Sequence, residues 1–279
     1  MRQFILENEI VKNGLIKIEG KNFRYLRQVL RAKPGDMINV RLRDGTLNNA
    51  TVAAVDDKAK IVTLQLCADT GKSITHGVQA SEFDGLPECE YWLFQFIPKP
   101  QKFELIVRQA TECGVCVIVP IIGEYTEKSS VASLLGAKRE RLERIVKEAR
   151  QQSGSPVNTK VLEPMSLEKA LELWRGNLPN GGAENSADGE GSCVAFVLSE
   201  RGDCSGNLRK VIENAGGCEK IRRAGIAVGS EGGISPDEVR TLESKGLFKP
   251  IHFAVNILRC ETAALYGIAA VQLEINQSI

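Results

Sequence analysis

The sequence lacks any apolar run that approaches the roughly 20 residues needed to cross a bilayer. Its N-terminal stretch, MRQFILENEIVKNG, carries acidic residues within the apolar part, which is not typical of a secretory signal peptide. The chain has neither a G-x-G-x-x-G after a predicted strand nor a G-x-x-x-x-G-K-[ST], which disfavours an ordinary dinucleotide site and a P-loop hydrolase. We therefore expect a cytoplasmic protein with a different kind of active site.

Metal ligands are scarce, because the chain has only two histidines, His76 and His252. The eight cysteines are scattered at Cys67, Cys89, Cys113, Cys116, Cys193, Cys204, Cys218 and Cys260. Cys113 and Cys116 form the one C-x-x-C pair. A zinc site would need a second pair or nearby histidines, and a thioredoxin-like motif would begin a helix rather than follow one. We predict no metal site, and reduced cysteines that behave as small apolar side chains.

Charge is nearly balanced at +1, but its distribution is uneven. Residues 1–60 contain 12 Lys and Arg against 7 Asp and Glu, a local charge of +5. Six of these cations lie within 21 residues: Lys21, Arg24, Arg27, Arg31, Lys33 and Arg41. Such a cluster suits a phosphate backbone, although a solvated helix face would have the same charge pattern.

Residues 1–73 are predicted to form a small β-rich domain. Strand patterns separated by turn residues occur at 16–18, 37–42, 49–55 and 61–66. A short helix interrupts them, with an apolar face of Phe23, Leu26 and Leu30. Its basic face is predicted to contact RNA through Arg24, Arg27 and Arg31, with Lys33 just beyond.

Residues 74–279 are predicted to form an α/β domain. Strands are expected at 91–97, 115–121, 193–198, 224–228 and 252–255. Helices are expected at 101–113, 136–152, 166–174, 205–215, 236–245 and 261–273. This alternation predicts a parallel sheet covered on both faces. Residues 176–192 have almost no apolar content and are predicted to be a flexible insertion.

Two connections near the C-terminus form the candidate site. The first, Gly229-Ser230-Glu231-Gly232-Gly233, precedes a helix start in which Ser235 is the predicted N-cap, Pro236 the first helical residue and Glu238 the capping-box partner, with Gly246 as the C-cap. The second is the segment 256–264, NILRCETAA. Elbows of this kind at the carboxyl ends of parallel strands form cofactor sites, although two ordinary strand-to-helix connections would have the same pattern.

The residues of these elbows resemble a known pair of signatures. G-S-E-G-G-I-S-x-x-E and I-L-R-C-E-T-A are similar to G-P-E-G-G-F-S-x-x-E and I-L-R-T-E-T-A of the RsmE family of 16S rRNA (uracil-N3) methyltransferases, in the SPOUT superfamily. Segments 25–36, 102–115 and 144–154 match further signatures in the same order. The chain departs from the family pattern at Ser155, Ser230, Ala254 and Cys260.

This resemblance implies an α/β fold, in which a C-terminal SPOUT-type parallel sheet with a deep trefoil knot follows a small N-terminal PUA-like β-barrel. It also implies a homodimer that methylates N3 of a uridine in 16S rRNA, within an assembled small subunit, with S-adenosyl-L-methionine as cofactor. The cofactor-binding residues that it implies are Leu198, Ser199, Gly229, Glu231, Gly232, Gly233, Asn256, Ile257, Leu258 and Thr262.

The chemistry requires a proton acceptor for the uracil N3–H and a cation for the flanking oxygens. Arg259 is the candidate cation. Glu261 either accepts the proton or orients Arg259 and caps the helix, and Glu231 either lines the pocket or shapes the loop by accepting backbone N–H groups. Two alternatives remain for the whole chain: an RNA-binding module without activity, and a SPOUT methyltransferase acting on another RNA atom.

Overall fold

The computed structural model describes residues 3–6, 11–43, 45–67, 88–177, 192–199 and 207–276. The chain divides into two compact units, one of Met1–Leu86 with Arg150–Pro156 and one of Pro87–Ala149 with Val157–Ile279. The predicted domain boundary at residue 73 lies outside the described residues, and so do residues 178–191 of the predicted insertion.

The first unit contains a six-stranded sheet in the order β1-β4-β5-β6-β3-β2. The strands are β1 (Gln3–Ile5), β2 (Val11–Lys12), β3 (Leu15–Ile18), β4 (Met37–Arg41), β5 (Leu47–Asp56) and β6 (Ile61–Leu66). β1 pairs in parallel with β4, and the other pairings are antiparallel. The four strands predicted in this region are confirmed. Gln3 also ties residues 150–156 to this unit, since its side-chain amide donates to the carbonyls of Arg150 and Ser155 at 3.0 Å each.

The predicted helix between β3 and β4 begins as α1 (Gly20–Arg24) and continues as a π-helical turn, Tyr25–Val29. Phe23 and Leu26 are buried and Leu30 packs against the same core, so the apolar face is confirmed. The helix ends before Arg31, which has a positive φ of 54°. Arg31 therefore lies beyond the helix on which Arg24 and Arg27 lie.

The second unit is built on a parallel sheet, as predicted. Its order is β10-β8-β7-β12-β11-β13, with β9 paired to β8. The strands are β7 (Glu90–Phe96), β8 (Val117–Ile122), β9 (Lys160–Val161), β10 (Met165–Ser166), β11 (Ser192–Leu198), β12 (Ile221–Val228) and β13 (Lys249–Ile251). The helices are α2 (Pro100–Glu112), α3 (Lys128–Ala132), α4 (Ala137–Ser153), α5 (Leu167–Gly176), α6 (Leu208–Asn214), α7 (Pro236–Gly246) and α8 (Cys260–Asn276). The last residues of α4, from Arg150, are assigned to the first unit.

Alternate residues of the central strands point to opposite faces of the sheet and pack in two separate hydrophobic cores. On one face, Leu93 and Ile226 pack with buried side chains of α2 and α8. On the other, Phe94 meets Trp174 of α5 and Phe248 edge to face, with ring centroids 5.5 and 5.2 Å apart. Since both faces of the sheet are covered by helices, a ligand can reach the sheet only at the ends of its strands.

The strand predicted at residues 252–255 is wrong, because β13 ends at Ile251. Residues 252–259 instead form the connection to α8. Phe253 packs against the core, whereas Val255 and Ile257 are 44% and 78% exposed. The apolar run therefore continues past the strand end into a segment that lines a cavity.

Helix α7 begins as predicted but ends differently. The Ser235 and Glu238 capping box is present, with Pro236 at the first turn. Gly246 is still helical, and Leu247 takes the left-handed conformation expected of a C-cap glycine, with φ of 58°. A Cβ on the buried Gly246 would lie 2.6 Å from a methyl of Leu171, so this glycine permits close packing of α7 on α5.

Candidate active site

A cavity of about 800 Å³ lies at the carboxyl ends of β11, β12 and β13. Both elbows predicted from the sequence line it. The expected residues that line it are Leu198, Ser199, Gly229, Glu231, Gly232, Gly233, Asn256, Ile257, Leu258 and Arg259. Glu261 and Thr262 lie in the first turn of α8, outside this lining. The parallel sheet therefore brings two segments that are about 25 residues apart in the chain to one place.

The glycine elbow is a tight turn held by its own backbone. Gly233 N–H donates to the Ser230 carbonyl at 3.0 Å, and Gly232 N–H donates to the Ser230 hydroxyl at 3.3 Å. Serine at this position thus supplies a hydrogen bond that the proline of the family signature lacks. A Cβ on Gly232 would lie 2.8 Å from the Tyr125 Cβ, so the elbow needs glycine for this close approach.

Gln95 anchors the start of the elbow and was not predicted as a site residue. Its buried side-chain amide donates to the carbonyls of Phe96, Val228 and Gly229 at 2.9, 3.3 and 3.0 Å. A single glutamine inside the apolar stretch YWLFQFI was the available signal. Buried amides of this kind are retained where backbone groups at a strand end need partners.

Tyr125 forms an aromatic wall of the cavity and was also missed. Its loop is fixed because Glu124 N–H donates to Glu238 Oε1 at 2.8 Å, while Glu238 Oε2 accepts the Ser235 N–H. Tyr125 remains 46% exposed and lines the cavity. The capping box of α7 therefore also holds the loop that carries Tyr125.

Lys102 brings charge to the cavity from the first turn of α2. Its ammonium lies 3.4 Å from Glu231 Oε1 and 3.5 Å from Glu261 Oε2. Desolvation of the ammonium opposes its charge, but Cys260, Glu231 and Glu261 beside it raise the pKa of Lys102. Lys102 begins the matching segment 102–115, but the sequence alone predicts no role for it.

Glu261 is held in the ionised form. Burial alone would raise its pKa, but its own backbone N–H, the Cys260 thiol and Lys102 together lower the pKa of Glu261. Burial raises the pKa of Cys260 to about 12, so the thiol stays protonated and donates to Glu261 Oε2 at 3.3 Å. Glu231 accepts the Lys99 N–H at 3.2 and 3.3 Å, so it bonds a backbone group of the neighbouring α2 loop.

Arg259 is exposed at the cavity, immediately before α8. Its carbonyl accepts the Ala263 N–H at 2.7 Å. Within the described residues, no carboxylate pairs with its guanidinium. The side chain is therefore available to a ligand.

The predicted RNA face is only partly available. Arg24, Arg31 and Lys33 are exposed, but Arg27 pairs with Asp57 at 3.0 Å and donates to the Ala32 carbonyl at 2.8 Å. Arg41 is buried and donates to Gln3 Oε1 at 2.7 Å. Two of the six clustered cations therefore have structural partners within the first unit.

The cysteines in the described part of the chain are free thiols. Burial raises the pKa of both Cys113 and Cys116. Across the described ranges, no group of three His, Cys, Asp or Glu side chains is arranged to hold a metal ion. None of the described helices combines the length and apolar character of a membrane span.

Comparison with known proteins gives two family matches along the chain. Residues 86–272 match an RNA methyltransferase domain, and residues 18–65 match an RNA methyltransferase PUA domain. Ribosomal RNA small subunit methyltransferase E 2 of Borreliella burgdorferi is 25% identical over 280 residues, covering 96% of each chain. Ribosomal RNA small subunit methyltransferase E of Aquifex aeolicus is 30% identical over 181 residues, covering 64% of this chain and 67% of that relative.

A solved structure has a similar fold over the whole length. It is the small subunit methyltransferase E of Neisseria gonorrhoeae bound to S-adenosyl methionine, with a TM-score of 0.69 at 22% identity. The alignment covers 98% of this chain and 97% of that one.

Proposed function

The chain belongs to the RNA methyltransferase family, and from this premise we propose that it transfers the methyl group of S-adenosylmethionine to N3 of a uridine in 16S rRNA. One observation carries the proposal: the two segments that resemble the RsmE signatures line a single cavity at the strand ends. The whole-length relatives named as small subunit rRNA methyltransferases support the choice of RNA.

The residues around the cavity fit S-adenosylmethionine. A volume of about 800 Å³ is within the range of small-molecule sites. The glycine elbow offers backbone groups without side chains, and Leu198, Ile257 and Leu258 supply apolar surface for the adenine. When bound, S-adenosylmethionine supplies an electrophilic methyl group on a sulfonium, and the protein must then position and desolvate the acceptor.

Arg259 is proposed to stabilise the negative charge that develops on the uracil oxygens when N3 loses its proton. Its exposed guanidinium at the cavity, without a partner carboxylate in the described chain, supports this role. A cation aimed at developing charge acts mainly in the transition state.

Glu261 is proposed to hold the first turn of α8 beside Arg259. Its lowered pKa and its bonds to Lys102 and Cys260 support this role over proton acceptance, because a general base works best with a pKa near the operating pH. Glu231, which is bound to the Lys99 N–H and to Lys102, is proposed to shape the elbow.

The RNA is proposed to dock on the first unit through Arg24, Arg31 and Lys33, which are exposed. The target uridine must leave its stack to enter the cavity. The protein is further proposed to act in the cytoplasm, on an assembled small subunit, as a homodimer with a deep trefoil knot. The assembled subunit, the homodimer and the knot rest on the family resemblance, and the cytoplasmic location is the expectation from the sequence.

Cofactor binding tests the assignment of the cavity. Calorimetry with S-adenosylmethionine and a chelator should show saturable binding, and Gly232→Leu should abolish it, because the new side chain meets Tyr125. If a folded Gly232→Leu protein binds S-adenosylmethionine with wild-type affinity, the glycine elbow is not part of the cofactor site. Binding without methylation of rRNA would favour the inactive RNA-binding module, and a methyl group on another atom would favour a different SPOUT activity.

A further inference from the structure

Lys102 lies between two carboxylates that come from different parts of the chain. Glu231 belongs to the glycine elbow and Glu261 to the first turn of α8, and the ammonium is 3.4 and 3.5 Å from them. The Lys102 side chain is 29% exposed, against 32% for Glu231 and 15% for Glu261. The partly buried ammonium of Lys102 is thus paired with two carboxylates beside the cavity.

Each carboxylate has a second anchor. Glu231 accepts the Lys99 N–H, one residue before α2, and Glu261 accepts the Cys260 thiol at the start of α8. Lys102 therefore completes a bridge from the start of α2 through the elbow to the start of α8. The elbow carries Gly232 and the segment just before α8 carries Arg259, and both residues line the cavity.

The charge balance of the bridge depends on Lys102. The groups that face the ammonium are Glu231, Glu261 and the Cys260 thiol. Since the thiol is neutral at ordinary pH, removing the ammonium leaves two negative charges close together. Arg259 is the nearest cation in sequence to Glu261, but its guanidinium pairs with neither glutamate in the described structure.

We infer that Lys102 is a positioning residue, which holds the elbow and the first turn of α8 at the spacing that S-adenosylmethionine requires. The identity of the ligand rests on the proposed function. The bridge itself does not, because it exists between side chains of the ligand-free protein.

The experiment compares four variants of the full chain. Lys102→Met removes the charge and keeps much of the length, and Lys102→Arg restores a cation. Lys102→Met combined with Glu231→Gln removes the repulsion while leaving an acceptor for the Lys99 N–H. Lys99→Met is the matched control, because Lys99 is exposed near the start of the same helix and only its backbone N–H contacts Glu231.

Two readouts do not need activity. Hydrogen exchange of the ligand-free protein reports opening of the elbow and of the first turn of α8. Thermal unfolding between pH 3.5 and 8 reports the charge, because the folded protein holds the pKa of Glu261 below its ordinary value, and the stability that this carboxylate contributes is lost as pH falls. Calorimetry with S-adenosylmethionine is the third readout.

At pH 7, Lys102→Met should exchange faster in both segments, melt about 2–4 °C lower and bind S-adenosylmethionine about tenfold more weakly. The melting difference from wild type should be full at pH 7 and shrink as pH falls toward the lowered pKa of Glu261. Glu231→Gln in the Lys102→Met background should recover most of each loss, and so should Lys102→Arg, while Lys99→Met should match wild type.

Lys102→Met with unchanged exchange at pH 7 overturns the inference. A loss of affinity that Glu231→Gln does not recover also overturns it, because Lys102 would then act on the ligand directly. If wild type fails to bind S-adenosylmethionine, the proposed function fails, and exchange and melting still decide whether Lys102 holds the two segments together.

Discussion

Replacement of Arg259 by alanine is the substitution that most exposes the proposed chemistry. The side chain is exposed and lines the cavity, and among the described residues its removal breaks no ion pair and no side-chain hydrogen bond. The hydrogen bond that Arg259 does make uses its carbonyl, which alanine keeps. We therefore expect the melting temperature of Arg259→Ala to stay close to that of wild type.

The expected loss is in turnover. Removing one preorganised stabilising group costs about 2.7–4 kcal/mol, which corresponds to a roughly 10²–10³-fold lower kcat. Binding of S-adenosylmethionine should fall much less, because the guanidinium is assigned to charge that develops only in the transition state.

The assay is single-turnover methylation of small subunits that lack the modification, with cofactor binding measured separately by calorimetry. Arg175→Ala is the control, because Arg175 is exposed on α5 and does not line the cavity. A turnover within threefold of wild type would refute the role of Arg259. If cofactor affinity and turnover fall by the same factor, Arg259 binds the cofactor in the ground state instead of stabilising the transition state.

Three further substitutions test other parts of the account. Glu261→Gln should lower kcat/KM by a similar factor across pH 6–9. The variant should also be less stable than wild type at pH 7, and this difference should disappear as pH falls through the lowered pKa of Glu261. Arg24→Glu with Arg31→Glu should weaken RNA binding and reduce its salt dependence by about two phosphate contacts, with cofactor affinity unchanged. Gly232→Ala should weaken cofactor binding because its Cβ meets Tyr125 at 2.8 Å, and Tyr125→Gly should relieve the clash.

Each of these substitutions has an outcome that contradicts it. A Glu261→Gln profile in which the acid limb of wild type disappears would restore Glu261 as the proton acceptor. RNA binding that is weakened equally by Lys12→Glu with Lys17→Glu, both exposed on the β2–β3 hairpin, would mean a diffuse charge effect. Failure of Tyr125→Gly to improve Gly232→Ala would mean that the clash is absorbed elsewhere.

The architecture of the sheet was predictable because its signals are local. Apolar stretches such as residues 91–97 and the capping box at Ser235 determine strand and helix starts from a few neighbouring residues. The last strand was predicted at residues 252–255 instead of 249–251, because an apolar run looks the same in a buried strand and in a segment that lines a cavity. Gly246 was misread because its requirement comes from Leu171, which is distant in sequence.

The lining of the cavity was predictable from the two elbows, since the carboxyl ends of neighbouring parallel strands meet at one edge. Lys102 and Tyr125 were not, because each comes from a different connection and acquires its partners only in the folded chain. The internal pairing of two members of the basic cluster could not be predicted for the same reason. No local pattern distinguishes Arg27 and Arg41, which have structural partners, from the exposed Arg24 and Arg31.

The most direct test of the central claim is mass spectrometry of nucleosides from 16S rRNA of cells with and without this protein. The account predicts that 3-methyluridine is present in the first sample, absent from the second, and restored by the wild-type chain but not by Arg259→Ala. Unchanged 3-methyluridine after loss of the protein, in cells with no second enzyme for that position, would contradict the account.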